Sequence, residues 1–375
     1  MRLWQIATAA VVAVLVVVGT VGPNPRLSEW ASSIFSTTHS GSRSSKESEP
    51  RRGGSTYRPP SGRRRAKPAP VRTGVVLNSL DNPFWVAIFE GVRGEARRLD
   101  VQASIRAPAT NSDPAGQAAD VRALVARRND CYAVAPISAT NLVAALRGVS
   151  RPVVNVNSPI DRTAAQRAGV RISIYIGTDD FAAGRLAGAK MASLLQGAGD
   201  IALLGGRVDS ILAPLRLGGF ERGIRGTRLR VVERVNADYE RTKAQIAAEQ
   251  ILEGHPRLDG FFAANDLMAL GVADAVRAAG KADDVAIIGL DGIPEALDAV
   301  RTGSMSATIS QYPYAMGQMA VEACVAATRG ARLPARVDAP IALVTKSNVA
   351  DAIATFPKPF RPYSDPLRRL LRGRR

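Results

Sequence analysis

Asn78, Ser79, Asp81, Asn82, Pro83, Phe84 and Trp85 crowd into one short stretch in which amide and carboxylate groups run directly into two aromatic rings. Amides donate and accept hydrogen bonds and aromatic rings offer flat apolar surface, so these residue types suit reversible capture of a small polar ligand. A plainer reading is open too, since any loop between strand and helix can carry Asn and Pro, and Phe84 and Trp85 can be core. Bond-making chemistry lacks its usual parts. The only histidines are His39 and His255, too few for a His-based triad or metal site, and Cys131 and Cys324 form no CxxC motif and no thiolate-rich metal site. Asp179 with Asp180, and Asp283 with Asp284, are adjacent carboxylates; neighbouring side chains diverge on a helix or a strand, so neither pair makes an acid–base dyad. The expectation is a binding protein, with no enzymatic activity, cofactor or metal.

The elements that position this turn follow from periodicity. Val75, Val76 and Leu77 form the short, largely β-branched run of a buried parallel strand, and the polar turn interrupts it abruptly. Beyond it, Val86, Phe89, Val92 and Ala96 recur at helical spacing, with Glu90, Arg93, Arg97 and Arg98 on the other face. Apolar strand candidates at 131–136, 152–156, 172–176, 200–204, 229–235, 260–264 and 285–290 alternate with helical patterns, so the chain reads as a run of βα units and hence as parallel sheet. Ligands in such open sheets sit at the carboxyl ends of the strands, where this turn lies.

A chain of 375 residues with 46% hydrophobic residues has material for one or two α/β lobes. Its net charge of +17 is of the kind that nucleic-acid binders carry, but the charge sits at the ends: residues 43–72 carry +8, residues 358–375 carry +6 and the first 42 carry +1, leaving +2 on residues 73–357. Nucleic acid is therefore not an expected partner. Residues 1–31 hold an apolar run, Ile6 to Val21, behind Arg2, the pattern of a signal peptide or a short membrane anchor. Residues 32–72, rich in Ser, Gly, Pro and Arg, read as a disordered basic linker with an r.m.s. span of roughly 35 Å. Residues 358–375 read as a basic tail whose partner the sequence does not name. The two cysteines read as single buried thiols.

Five segments, PVVNVN at 152–157, IGTDDFAAGR at 176–185, FAANDLMALG at 262–271, IGLDG at 288–292 and SATISQ at 306–311, together with the first strand, loop and helix, resemble periplasmic sugar-binding proteins of the ribose-binding type, whose fold is shared by the ligand domain of the lactose-repressor family. The matches run in order over about residues 73–346. The resemblance implies two doubly wound parallel-sheet lobes, 73–178 plus 312–343 and 179–311 plus 344–357, joined by a hinge of three crossings near Thr178, Gln311 and Val344. It implies a ligand site of Asn82, Phe84, Trp85, Asn157, Tyr239, Asn265, Asp291 and Gln311, and it puts both cysteines in one lobe, which leaves one disulfide possible. Helix capping is the alternative role for Asn265 and Asp291. The chain also departs from the pattern: Asn157 and Ser158 replace an Asp-Arg pair, Ala135 replaces an Asn, and Pro214 replaces an Arg, with Arg216 two residues on. These changes imply a site poorer in charge and a ligand other than ribose. The implied function is an exported solute-binding protein that closes on a small neutral sugar or polyol for an ABC importer, or alternatively serves a membrane sensor. A transcription regulator is disfavoured, because an apolar run and a linker stand where a helix-turn-helix module would.

Overall fold

The computed structural model describes residues 69–372; the expectations for the apolar run and nearly all of the linker lie outside these residues. In the first lobe, β1 (Arg72–Val76) leads through the polar turn into α1 (Pro83–Leu99), followed by β2 (Gln102–Arg106), α2 (Pro114–Ala126), β3 (Cys131–Val134), β4 (Val153–Val156), α3 (Arg162–Arg167) and β5 (Ile174–Gly177). The chain then crosses to α4 (Asp180–Leu194), β6 (Ala198–Gly205), α5 (Leu212–Gly223), β7 (Arg228–Asn236), α6 (Arg241–Gly254), β8 (Gly260–Ala263), α7 (Asp266–Ala278), β9 (Ala286–Asp291), α8 (Pro294–Thr302) and β10 (Ala307–Ser310). It returns for α9 (Pro313–Thr328) and β11 (Arg336–Asp338), crosses once more to β12 (Ala342–Val344) and α10 (Val349–Thr355), and ends in a 3-10 helix, Leu367–Arg372.

Two six-stranded sheets result. Their orders are β2-β1-β3-β4-β5-β11 and β7-β6-β8-β9-β10-β12, the same winding used twice. Each sheet is parallel except that β12 pairs antiparallel with β10. Both orders reverse direction beside their first strand, so each lobe has its topological switch point, the place where α/β sheets bind ligands, at β1/β3 and at β6/β8. The third crossing falls between Asp338 and Ala342, a few residues before Val344, because Ala342–Val344 already pairs with the second sheet.

Central strands are buried on both faces, which is why they read as continuous apolar runs. Glycines let the helices of the second lobe approach closely: a methyl group on Gly184 or Gly188 of α4 would overlap the carbonyl oxygen of Arg216 or Phe220 on α5. Behind them Phe220 stacks on Phe262, ring centroids 4.7 Å apart. In the first lobe the sheet is covalently tied to α9. Cys131 of β3 and Cys324 form a disulfide, so the expectation of single buried thiols is corrected. A cysteine pair 193 residues apart in sequence becomes neighbouring only because α9 returns to pack across β3 after the chain has laid down five strands of the second lobe.

The last residues also depart from a plain basic tail. Phe356, Phe360, Tyr363, Leu370 and Leu371 pack against the core, and Leu367 is fully buried. Among the charged residues of this segment sit enough apolar ones to dock it.

Candidate functional site

The loops at the carboxyl ends of the strands from both sheets line one cavity of about 750 Å³, counting its open mouth. From the first lobe come Asn78, Asn82, Phe84 and Trp85 after β1, Asn111 after β2, Ile137 and Ser138 after β3, and Asn157 and Ser158 after β4. The second lobe supplies Arg207 to Leu212 apart from Val208, then Arg216, Tyr239, Asn265 and Asp291. Seven of the eight residues expected from the sequence lie on this wall. The eighth, Gln311, is fully buried behind it, with its Nε2 3.5 Å from Asp180 Oδ1 and its Oε1 without a hydrogen-bond partner. It sits at the second crossing, not on the surface that a ligand would touch.

Asn82 and Asn265 have two roles at once. Each is an N-cap whose side-chain oxygen accepts a backbone N–H, Phe84 N at 2.9 Å for Asn82 and Met268 N at 2.9 Å for Asn265. Capping thus occupies the amide oxygen and leaves the NH2 group as the donor of each side chain, on a residue that lines the cavity. Asp291 does not cap α8; its N-cap is Ile293, which makes no side-chain cap bond. Phe84 and Trp85 likewise serve twice: they belong to the main cluster of buried apolar residues, which runs through both lobes, and meet edge to face at 5.1 Å while also lining the cavity.

Strained backbone gathers here. Asn157 (φ 55), Tyr239 (φ 65) and Asp291 (φ 150) hold positive φ without being glycine. Such conformations cost of order 1–3 kcal/mol each and persist only where surrounding contacts enforce them. At Asn157 those contacts are its N–H on Ile176 O at 2.7 Å and its own carbonyl accepting from Tyr175 Oη at 2.5 Å, while its Oδ1 stays buried without a partner. Tyr239 Oη is held 2.7 Å from Ser210 Oγ, joining the loops after β7 and β6.

The expected loss of charge is only half right. No charged group replaces the first lobe's Asp-Arg pair, but Arg216 is buried in the second lobe's wall. Its Nε donates to Asp180 Oδ1 at 2.7 Å, its Nη1 donates to Ala264 O at 2.6 Å, and Nη1 stands 3.8 Å from Asp291 Oδ1. Burial pushes the Asp291 carboxyl well up despite the Arg216 charge. Asp266 is pushed up to about 6, chiefly by burial, against bonds accepted from Thr308 Oγ1 at 2.6 Å and from the Gly292 and Ile293 N–H groups at 2.7 and 3.0 Å. Asp266 thereby shapes the turn that presents Asp291. Sequence reasoning placed Arg216 near the site without a role, named Asn78 in the polar turn but not in the ligand set, weighed Asp180 only as half of a carboxylate pair and did not single out Asp266. A usable signal existed for the arginine: Leu212, Arg216 and Phe220 share one helical stripe, and an arginine on an otherwise apolar face needs a buried partner.

Nothing in the wall is arranged as a nucleophile with its base. It offers flat rings, amide and hydroxyl groups, the carboxyl groups of Asp209 and Asp291 and the guanidinium groups of Arg207 and Arg216, disposed on two sheets that three chain crossings allow to move as a hinge. Two doubly wound lobes closing on one cleft define a hinged binding protein. The chain belongs to the periplasmic binding protein family: the periplasmic binding protein domain matches residues 73–332. It is 32% identical over 274 residues to the D-allose-binding periplasmic protein of Escherichia coli, covering 71% of this chain and 87% of that one. The ribose import binding protein RbsB of Bacillus subtilis is 31% identical over 273 residues, 73% of this chain and 87% of the relative. Among solved structures, an ABC transporter periplasmic solute binding protein from Actinobacillus succinogenes with bound D-allose superposes with a TM-score of 0.72 at 25% identity, covering 75% of this chain and 99% of that one. An ABC transporter solute binding protein from Bacillus halodurans with bound myo-inositol gives 0.69 at 27% identity, covering 77% and 99%. Membership in this family implies an exported, periplasmic location. Among the described residues no helix is long and apolar enough to cross a membrane.

Proposed function

We propose that this protein captures a small neutral sugar or polyol between its lobes and hands it to an ABC importer, without changing it chemically. The observation that carries this reading is the placing of Asn82 and Asn265, one from each lobe, on the cavity wall with their oxygens capping helices, which leaves their NH2 groups as donors. Hydroxyl oxygens of the ligand accept from these donors, its hydroxyl groups donate to Asn157 Oδ1 and Asp291, and the rings of Phe84, Trp85 and Tyr239 cover its C–H faces. Gln311 acts from behind, linking the second crossing to Asp180. The absence of a charged pair in the first lobe supports a ligand other than ribose, since a site built for a different set of hydroxyls leaves buried polar groups unpaired. The apolar run Ile6 to Val21 serves export and either is cleaved or remains as an anchor.

Thermal unfolding of the full-length protein against pentoses, hexoses, inositols and unrelated metabolites tests this. A ligand at a hundredfold excess over its Kd adds about 2.7 kcal/mol of stability. A saturable upward shift with one sugar or polyol, recovered unchanged after incubation, is expected; a shift only with non-carbohydrate metabolites, or recovery of an altered product, overturns the reading.

A further inference from the structure

Beyond the three crossings, the chain makes a fourth passage between the lobes. It leaves α10, which packs on α8 of the second lobe, and runs past the hinge, where Phe356, Pro357 and Phe360 share a small cavity with Gly292 and Leu297 of the second lobe and with Tyr312. Phe360 meets the Tyr312 ring edge on at 5.7 Å, and Tyr312 is the αL residue (φ 51) that immediately precedes α9 at the second crossing. The segment then reaches the first lobe. Tyr363 Oη donates to Gln318 Oε1 on α9 at 3.3 Å, Leu367 is fully buried, and Arg329 of α9 reaches Leu371 O at 3.5 Å.

A cluster of charges clamps the far end. Glu95 on α1, Glu322 on α9 and Asp365 on the segment bring three buried carboxyl groups together, with the half-exposed Arg98 and Arg368 at their edge. Arg98 Nε lies 2.9 Å from Glu95 Oε2, and Arg98 Nη2 lies 3.5 Å from Glu322 Oε1. Arg368 Nε donates to Glu322 Oε1 at 3.3 Å and lies 3.4 Å from Asp365 Oδ2. Gln318 Nε2 approaches Glu95 Oε2 at 3.5 Å. Three carboxyl groups against two guanidinium groups hold together when one of them keeps a proton. Burial, then Asp365 and Glu95, push Glu322 up to about 9, while burial and Asp365 push Tyr363 up to about 12. At Glu95, burial is outweighed by the Arg98 bonds, and its carboxyl is held down.

We propose that residues 356–372 are a strap that ties the second lobe to the first across the hinge and limits how far the cleft opens. The strap lies beyond residue 332, where the family match ends. Its contacts are with Gly292 and Leu297 of the second lobe, with Tyr312 at the second crossing and with the α1–α9 face of the first lobe.

Distance measurements on the ligand-free, full-length protein test this. Both native cysteines are in the disulfide, so cysteines introduced at exposed Arg147 and Arg225 carry spin labels on the first and second lobes alone. Leu367→Asp, which drives a charge into the buried anchor, and a chain ended after Pro357 are both expected to shift the interlobe distances to longer, broader values. Arg369→Glu, at an exposed position of the same turn, is expected to leave them unchanged. Raising the pH from 7 to 10 ionises Glu322 and is expected to widen the wild-type distribution but not that of Glu322→Gln. Wild-type distances in both strap variants, with amides 360–371 shown by hydrogen exchange to be released, overturn the proposal. Should both variants fail to fold, a wild-type distribution unchanged at pH 10 while those amides lose protection does the same.

Discussion

The two lobes wind their strands in one order yet build opposite halves of the site. The first lobe's wall is uncharged: Asn78, Asn82, Asn111, Asn157, the serines after β3 and β4, and the rings of Phe84 and Trp85. In the second lobe a buried set of charges, Arg216 with Asp180 and Asp291, stands behind the amide of Asn265, and Asp266 holds the turn of Asp291 in place. Their supports differ correspondingly. The first lobe carries the Cys131–Cys324 disulfide and the second the buried pair of Arg216 with Asp180, while glycines bring helices into close contact in both, α1 with α9 and α4 with α5. One winding thus accommodates either a covalent staple or a polar network. Substitutions in the first lobe's amides cost binding, whereas those in the second lobe's network cost the fold as well.

Breaking the second lobe's network has the largest expected effect. Arg216→Met leaves Asp180 buried without its partner, and removing one member of a buried pair costs about 3–5 kcal/mol; thermal unfolding should show a large fall in Tm even without ligand. Next comes the first lobe's staple. Cys131→Ala with Cys324→Ala is expected to lose about 2–4 kcal/mol, the usual range for a disulfide closing a long loop, and denaturant unfolding of the pair against wild type reads it. Gly184→Ala should cost about 1–3 kcal/mol by pushing α5 off α4, and it should weaken ligand binding too, because Arg216 rides on α5. A wild-type affinity in a destabilised Gly184→Ala protein would separate packing from site geometry and blur the contrast between the lobes. The smallest effect is a pH slope at the strap. A carboxyl group whose folded pKa is raised contributes stability that is complete below its unfolded value near 4.5 and lost as pH rises through about 9. Glu322→Gln should flatten the alkaline decline of Tm over that window.

Much of this was legible in the sequence. Strand-loop-helix order follows from short apolar runs that break into polar turns, as a buried parallel strand and its loop require; the two lobes and the seven cavity-lining residues came from the resemblance to the ribose-binding type carried by the ordered segments. What escaped was set by distant parts of the chain. The disulfide depends on α9 returning over β3, the partner of Arg216 lies 36 residues earlier at Asp180, and nothing local reveals either. β2, Gln102–Arg106, was missed because it is an edge strand with polar ends and no run of apolar residues. The strap's Phe356, Phe360, Tyr363 and Leu367 were hidden by the lysine and arginines around them. Capping and ligand contact at Asn265 could be set out from sequence only as alternatives; the geometry shows the cap in place there, and at Asn82 too, with both residues on the cavity wall.

The central claim is that a donor fixed by its cap grips the ligand, and calorimetric titration of Asn82→Asp beside wild type, with the sugar or polyol selected by thermal unfolding, tests it most directly. Aspartate keeps the cap and replaces the NH2 donor with an acceptor. The account predicts an unchanged Tm and an affinity weaker by about 10–100-fold, the cost of about 1–3 kcal/mol for a buried group left unpaired. Equal affinity in the two proteins would contradict it and place the ligand's grip elsewhere.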